Sequence, residues 1–222
     1  MKKIILTAIL MGAASAGAKA TNASQGQFYL SIPVGYGITT QPSKDSEGLY
    51  SGKFKKPVIF GLAGGYDFNI LRAELSWNNR SKMDLHAFRN TSTSILTESQ
   101  SVKVNTFMAN IYKDFHVSDK FSPYVTAGLG FSNIKGGTVF TSDHYPDIDT
   151  TFLYEGAGSS ENRFSWQLGL GAAYNVTETV SLDLSYRYTY LGKVTGTDPI
   201  LEEVASYKLK SNDIMFNLRI KL

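Results

Sequence analysis

The chain has 222 residues, with 22 basic residues, 19 acidic residues and no cysteine. This length suits one all-β domain, and the lack of cysteine excludes a disulfide framework and thiolate chemistry. No run of about 18 apolar residues follows the N-terminal segment, so helical membrane spans are excluded there.

Residues 1–20 are predicted to form a secretory signal peptide. Lys2 and Lys3 precede an apolar core, and Ala18-Lys19-Ala20 supplies the small residues of a cleavage site. Removal of this segment takes away three lysines and no acid, so the mature domain, residues 21–222, holds 19 basic and 19 acidic residues. The excess of basic residues therefore lies in the predicted signal peptide, so the basic pI gives no support for nucleic-acid binding by the mature domain.

The mature chain is predicted to contain eight strands with apolar residues at every second position, which is the period of a β-strand. The clearest example is the hairpin 164–190, which breaks at Asn175–Glu178. Pro33 is predicted to mark a bulge or an unpaired position in the first strand. In the fourth strand the apolar parity switches between Val104 and Phe107, which indicates a bulge there. The predicted strands cover about 28–38, 58–68, 71–78, 102–115, 121–133, 164–174, 180–190 and a last strand ending in 214–222.

The two faces of these strands differ in a way that predicts a membrane location. The apolar face carries no charge, as contact with lipid requires. The other face is mainly Gly, Ser, Ala, Gln and Thr, which suits a crowded narrow lumen better than the water-facing surface of a soluble barrel. Tyr174, Tyr186, Tyr188 and Tyr190 lie toward strand ends, where aromatic girdles occur. The predicted fold class is all-β, an eight-stranded antiparallel up-and-down transmembrane β-barrel.

The connections between the predicted strands alternate between long and short. Long loops are predicted at 39–56, 83–100, 135–161 and 192–206, and short turns at about 67–70, 117–120 and 175–178. Long loops outside and short turns on the periplasmic side are the expected asymmetry, and both ends of the mature chain then lie in the periplasm.

The repeated Gly-rich strands 61–66 and 169–174, each ending in Tyr, and the closing segment 216–222 resemble the OmpA/Opa-like outer-membrane β-barrel proteins. The resemblance implies a barrel-only protein of a Gram-negative outer membrane, in contact with lipid and lipopolysaccharide. Such proteins are surface antigens, adhesins and small pores. It also implies an assembly signal read by the barrel-assembly machinery at Phe216, Leu218, Ile220 and Leu222, although Leu222 stands where the family usually has an aromatic residue.

Six charged residues are predicted to point into the lumen, and the first five are the candidate members of an ion-pair network: Arg72, Glu74, Asp183, Arg187, Arg219 and Lys221. An eight-stranded barrel is just wide enough for its own side chains, so these charges need partners. Two interpretations remain open. The charges form an ion-pair network that holds the interior together, or they line a gate or narrow ion path.

Other candidate chemistry is weak, and no catalytic residue, metal or cofactor is predicted. His116-Val117-Ser118 is similar to the His-x-Ser arrangement of an outer-membrane lipid A deacylase, but it lies in a predicted periplasmic turn. Asp143, His144, Asp147 and Asp149 have a spacing that could hold calcium, without the glycine that a tight calcium loop needs.

The third loop is the strongest candidate for recognition. It is acidic, with Lys135 against five carboxylates, whereas the first loop carries four lysines against two acids. It also contains candidate contact residues at Phe140, Tyr145, Phe152 and Tyr154, and exposed aromatics on loops often anchor interfaces. We therefore predict a surface antigen or adhesin that binds an external partner, such as a host surface protein. The alternative is a small porin or an envelope-stabilising barrel.

Overall fold

A computed structural model describes residues 26–39, 51–54, 56–69, 71–90, 95–156, 158, 160–197 and 204–222. The predicted signal peptide lies outside these residues, as do positions 40–50 of the first predicted loop and 198–203 of the fourth. Within the described ranges, no helix is long and apolar enough to cross a bilayer. The strands are β1 (Gln27–Thr39), β2 (Ser51–Phe54), β3 (Val58–Asp67), β4 (Leu71–Asn90), β5 (Ile95–Asp114), β6 (Phe121–Tyr145), β7 (Thr150–Gly156), β8 (Ser160–Asn175), β9 (Val180–Thr197) and β10 (Val204–Lys221), with one 3₁₀ turn at Pro146–Ile148.

Eight of these strands close into an antiparallel barrel. The order around the wall is β1, β3, β4, β5, β6, β8, β9 and β10. The first and last strands complete the ring through a ladder that runs from Tyr29↔Lys221 to Thr39↔Ser211. The predicted fold class is therefore confirmed, including the three short turns at one rim, which we call the turn rim. The opposite rim, where β1 ends, is called the hairpin rim.

The apolar face of every barrel strand points outward. Leu170 is 61% exposed, and equivalent positions such as Leu30, Leu75 and Phe216 are exposed in the same way. The alternate residues point into the lumen and are buried, among them Tyr29, Ser76 and Asp213. This inside-out distribution follows from the period-2 pattern, because successive strand residues point to opposite faces. The exterior is apolar, as a lipid solvent requires.

Aromatic side chains form a girdle at each end of the apolar band. At the turn rim the rings of Phe28, Tyr66 and Phe68 are in edge contact, with centroids 4.8 and 4.6 Å apart, and Tyr174 lies opposite Phe121. The girdle toward the hairpin rim includes the pairs Phe60–Trp77, Phe107–Phe131 and Trp166 with Tyr188 and Tyr190. Tyr186 lies below this girdle and donates a hydrogen bond to Asn212.

The wall continues beyond the hairpin rim, and here the prediction of long loops is partly wrong. The predicted loop 83–100 is mostly strand, since β4 and β5 stay paired as far as Asn90↔Ile95. The predicted loop 135–161 contains the end of β6 and the whole of β7. Together with β2, these segments form a five-stranded sheet above the rim, which we call the extended wall. Continued pairing satisfies backbone groups that a loop would leave to water.

The fourth predicted strand, now β5, has no bulge between Val104 and Phe107, so that prediction is wrong. Its inward parity runs unbroken from Val102 to Tyr112. The register shifts lie in the neighbouring strands, in β4 between Arg80 and Met83 and in β6 opposite Gln100–Val102. Val102 and Val104 point inward because the lumen is apolar at that height.

Pro33 leaves an unpaired position and makes no bulge. It stays in register with Asn217 of β10. The ladder from β1 to β3 is interrupted between Ser31↔Ala63 and Val34↔Phe60 without a change of register. A proline cannot donate a ladder hydrogen bond, so the gap occurs on one side only.

Replacement of Leu170 by Arg places a charge between the two girdles. We expect Leu170→Arg to lower the free energy of unfolding from phospholipid vesicles by about 2–4 kcal/mol, because a guanidinium at this depth loses its hydration. Urea titration followed by the fluorescence of Trp77 and Trp166 measures the change. The matched control is Leu153→Arg on β7, which is 79% exposed but lies above the barrel. This control should change stability by no more than about 0.5 kcal/mol. Equal losses in both variants would show that Leu170 does not face lipid.

Candidate functional site

Arg72 is the centre of the charged cluster near the turn rim. Its guanidinium is 1% exposed and makes a bidentate pair with Asp114, with Nε–Oδ2 at 2.7 Å and Nη2–Oδ1 at 2.9 Å. Across the lumen, Nη1 lies 3.8 Å from Asp183 of β9, and Asp183 is in turn 3.5 Å from Arg219. Bidentate pairing combines charge with fixed geometry, which makes it the strongest form of this interaction.

Aromatic rings surround the same guanidinium. The Arg72 Cζ atom lies 4.5 Å from the ring centre of Tyr112, 5.1 Å from that of Tyr124 and 5.9 Å from that of Tyr29. Arg219 also lies over the Tyr29 ring. A cation beside several desolvated rings gains electrostatic stabilisation from their faces. The rings therefore provide part of the solvation that Arg72 loses in the lumen.

Glu74 has tyrosine hydroxyls as partners in place of arginine. It accepts hydrogen bonds from Tyr112 at 2.7 Å and from Tyr29, across β3, at 3.1 Å. Asn110 makes a longer contact of 3.4 Å. Hydrogen bonds to a carboxylate are stronger than those between neutral groups, so they compensate for burial of this charge.

Two inward-facing glycines make room for the tyrosine rings. A Cβ atom on Gly65 would lie 2.5 Å from the ring of Tyr29, and one on Gly171 would lie 2.7 Å from the ring of Tyr124. In each case the glycine on the neighbouring strand leaves the space that the tyrosine ring fills. These glycines are therefore needed for close packing of the lumen.

A second ion pair crosses the lumen closer to the hairpin rim. Arg80 of β4 makes a bidentate pair with Asp213 of β10, at 2.9 and 2.6 Å. β3 and β1 separate these two strands in the wall, so the pair joins opposite parts of the barrel. Ser211 and Thr189 donate further hydrogen bonds to Asp213, at 2.6 and 2.9 Å.

An apolar cluster lies above the ion pairs, at the hairpin rim. All of its members are buried. All five strands that contain a register irregularity or border one contribute to it, namely β4, β5, β6, β9 and β10. Gly192 beside it has a φ of 121°, which favours glycine. We call it the apolar cap; its residues are Met83, Val102, Val104, Ile134, Leu191 and Leu209.

The lumen is therefore filled by polar, charged and apolar layers. Five of the six charged residues predicted to point inward lie inside the barrel and are buried, whereas Lys221, at the end of β10, is half-buried. Arg72, Asp183 and Arg219 are brought together, whereas Glu74 is bound by tyrosines. Arg187 donates to Ser185 at 3.3 Å, and no carboxylate of the described residues lies within 4 Å of it.

Sequence reasoning missed three members of this set, Asp114, Arg80 and Asp213. With them, the lumen between the girdles holds four arginines and four carboxylates. Each missed residue has the inward parity of its strand, so alternation was a sufficient signal. Arg80 was overlooked because the third predicted strand ended at Asn78, and Asp114 because the parity of the fourth was misread. Asp213 was overlooked because it precedes Ile214, where the alternation assigned to the last strand began.

The hairpin of β6 and β7 displays apolar groups above the rim. Phe140, Phe152 and Tyr154, predicted as contact residues, are exposed, whereas Tyr145 is half-buried. Leu153, an apolar group of the same predicted loop, is exposed, and so is Ile148, which the prediction left out. They do not share one face. By cross-strand register Tyr145, Phe152 and Tyr154 lie on one side of the hairpin, and Phe140 and Leu153 on the other.

The two faces of this hairpin differ in their surroundings. On the first face the rings of Tyr145 and Phe152 are in edge contact at 5.9 Å. Asp143, through hydrogen bonding and its negative charge, raises the pKa of the Tyr145 hydroxyl. On the second face a shallow groove of about 190 Å³ is lined by Thr97, Ser99, Phe140, Ser142, Leu153, Tyr154 and Glu155.

The two weaker candidate sites have ordinary structural contacts. The Ser118 hydroxyl accepts the backbone N–H of Phe121 at 3.1 Å within the turn after β5. His144 contacts Thr151 Oγ1 at 3.0 Å, and Asp143 points to the opposite face of β6. Among the described positions, no three His, Asp or Glu side chains converge on a metal site.

The predicted assembly signal lies on the outer surface of β10. Phe216, Leu218, Ile220 and Leu222 are all exposed on the lipid face. The strand pairs with β1 on one side and β9 on the other, so its backbone closes the barrel.

Comparison with known proteins gives a consistent set of relatives. Residues 5–219 match the family model described as the outer membrane protein β-barrel domain. The outer membrane protein PagN of Salmonella typhimurium is 31% identical over 238 aligned residues, covering 96% of this chain and 95% of PagN. An opacity protein of Neisseria gonorrhoeae is 25% identical, covering 76% of this chain and 86% of the relative.

Solved structures resemble the fold. Neisserial surface protein A superposes with a TM-score of 0.55 at 19% identity, covering 88% of this chain and 97% of the other. Outer membrane protein W of E. coli gives a TM-score of 0.50 at 17% identity, covering 90% of this chain and all of the other. At this level of identity the likeness concerns the barrel architecture.

Removal of the Arg72 charge should destabilise the barrel strongly. Arg72→Met leaves the part-buried Asp114 without its bidentate partner and the buried Asp183 without one of its two arginines. We therefore expect a loss of about 3–5 kcal/mol in the free energy of unfolding from vesicles. The double variant Arg72→Met/Asp114→Leu removes both charges and should recover most of this loss. A single variant as stable as the wild type would mean that the pair contributes nothing to the lumen.

Proposed function

Because the chain belongs to the outer membrane protein β-barrel domain family, we propose that it is a surface protein whose β6–β7 hairpin binds an external partner, such as a host surface protein. The observation that carries the proposal is the set of exposed apolar side chains on this hairpin. Exposed apolar groups that lie close together, as Phe152 and Tyr154 do on one face of the hairpin, often mark a protein–protein interaction site. Here they lie on a sheet extension that continues the barrel wall, so the barrel holds the binding surface in place.

The packed lumen supports the same proposal because it disfavours the alternative function, a pore. Conduction needs a continuous polar path, whereas here bidentate pairs cross the lumen and the apolar cap covers them. Apolar constrictions exclude water and ions. We therefore place the activity of the protein on its outer surface and assign it no catalytic step or cofactor.

The remaining partners follow from the location in the outer membrane. We propose that the exposed apolar band contacts lipid and lipopolysaccharide, that residues 1–20 direct export, and that the outward side chains of 216–222 are read by the barrel-assembly machinery. The alternating apolar face of β10 supports the assignment of the assembly signal. After removal of residues 1–20, the mature domain consists of residues 21–222.

Loss of the apolar side chains of β7 should abolish attachment. In Phe152→Ser/Leu153→Ser/Tyr154→Ser we expect attachment of intact bacteria to cultured host cells to fall at least about tenfold, because buried aromatic anchors carry most interface energy. Removal of residues 140–158 should have the same effect. The control is Val117→Ser, which removes an exposed apolar group at the turn rim.

A comparison of gel mobility between unheated and boiled samples shows whether the barrel of each variant is folded. Undiminished attachment of a folded hairpin variant would contradict the proposal.

The rival function, a small pore, makes a different prediction. In planar bilayers we expect no discrete single-channel steps from the wild-type protein, because the lumen is closed by ion pairs and by the apolar cap. Discrete steps that disappear in Glu74→Gln or Arg187→Gln would instead support an ion path through the lumen.

A further inference from the structure

β7 is an edge strand with an open side. It pairs with β6 from Val139↔Gly156 to Tyr145↔Thr150 and with no other described strand. The next strand along the wall, β8, pairs with β6 only as far as Lys135↔Ser160, below β7. β9, beyond it, is paired with β8 only up to Trp166↔Tyr190 and above that point with β10 alone. Backbone N–H and C=O groups along one side of β7 are therefore available for an added strand.

Apart from Glu155 near its end, the edge lacks the features with which proteins protect such strands. β7 reads Thr-Thr-Phe-Leu-Tyr-Glu-Gly, with no proline and no lysine. It is seven residues long, and Thr151 to Glu155 are exposed on both faces. β-branched and aromatic residues favour pairing, and a charged or kinked edge would oppose it.

Charge selects the kind of strand that fits. From Gly136 to Tyr154 the β6–β7 hairpin contains Asp143, Asp147 and Asp149 but no lysine or arginine, and Glu155 follows on β7 itself. A second copy would bring the same acidic hairpin, and like charges across an interface are unfavourable. A basic segment is attracted instead.

The two faces of β7 define the side chains of the added strand. Phe152 and Tyr154 lie on one face and Leu153 on the other. Residues of the new strand opposite these positions gain cross-strand contacts if they are apolar or β-branched. A basic residue opposite Glu155 gains an ion pair.

We propose that β7 binds an extended basic segment of the partner protein as an added β-strand, which continues the extended wall. The inference rests on the proposed function and specifies how that same hairpin binds. Main-chain hydrogen bonds supply affinity in this mode, and alternate side chains supply specificity.

The test uses the full-length barrel in detergent micelles and synthetic peptides of about ten residues, long enough to pair with all of β7. The probe alternates valine and threonine, carries two lysines and is N-methylated along one edge only. A strand has two edges, so this peptide can still pair with β7 but cannot form sheets with itself. N-methylation of every residue, with the same side chains, should reduce affinity at least tenfold, and so should replacement of both lysines by glutamate.

The position of the added strand is tested by cross-linking. The natural chain has no cysteine, so Thr151→Cys places a single thiol on β7. A peptide whose cysteine is activated as a thiopyridyl disulfide should exchange readily with this thiol, forming the mixed disulfide and releasing thiopyridine. The mixed disulfide should not form in Ser118→Cys, whose thiol lies at the turn rim.

Three results would overturn the inference. These are equal affinity of the one-edge and fully N-methylated peptides, equal cross-linking at the two cysteine positions, and peptide-independent dimers of Thr151→Cys, which would make a second copy the occupant. If the serine variants of β7 lose attachment but N-methylation has no effect, only the strand-addition mode fails. If attachment does not depend on β7, the proposed function fails as well.

Discussion

The absence of water in the bilayer core is the constraint on which this structure depends. Every backbone N–H and C=O group in that layer must pair with another strand, so the sheet has to close. The ladder between β1 and β10 provides the closure, with Leu30 opposite Ile220 and Tyr36 opposite Ile214. Once the ring is closed, the period-2 pattern decides the rest, because one face of every strand meets lipid and the other meets the lumen.

Closure with eight strands makes a lumen that is too narrow for free water and too crowded for unpaired charges. Two features of the lumen side chains satisfy the buried charges. Four arginines and four carboxylates balance in charge, and the bidentate pairs Arg72–Asp114 and Arg80–Asp213 fix them in place. Tyrosines from β1, β5 and β6 provide rings and hydroxyls for the charges that remain. The interior is thus filled by side chains, which supports the proposal that the binding surface lies above the hairpin rim.

Above the hairpin rim the constraint no longer applies. There a strand can end, bend or remain unpaired, because water can satisfy its backbone. β7 is such a strand: an open edge is excluded in lipid but tolerated on an extension of the wall. The same physical difference that closes the barrel therefore permits a binding surface where the barrel stops.

The alternation of side chains by itself determined the barrel, its lipid face and the inward position of Arg72, Glu74, Asp183, Arg187 and Arg219, because the direction of a strand side chain depends only on its parity. It could not determine which of these groups meet. The Arg80–Asp213 pair and the hydrogen bond from Tyr29 to Glu74 join strands that are not neighbours along the chain. The same is true of Leu191 and Leu209, which belong to the apolar cap with Val104. Those contacts depend on the stagger of all eight strands around the ring. The continuation of β4 to β7 beyond the bilayer was likewise decided by cross-strand pairing, which a local pattern of serine and threonine does not specify.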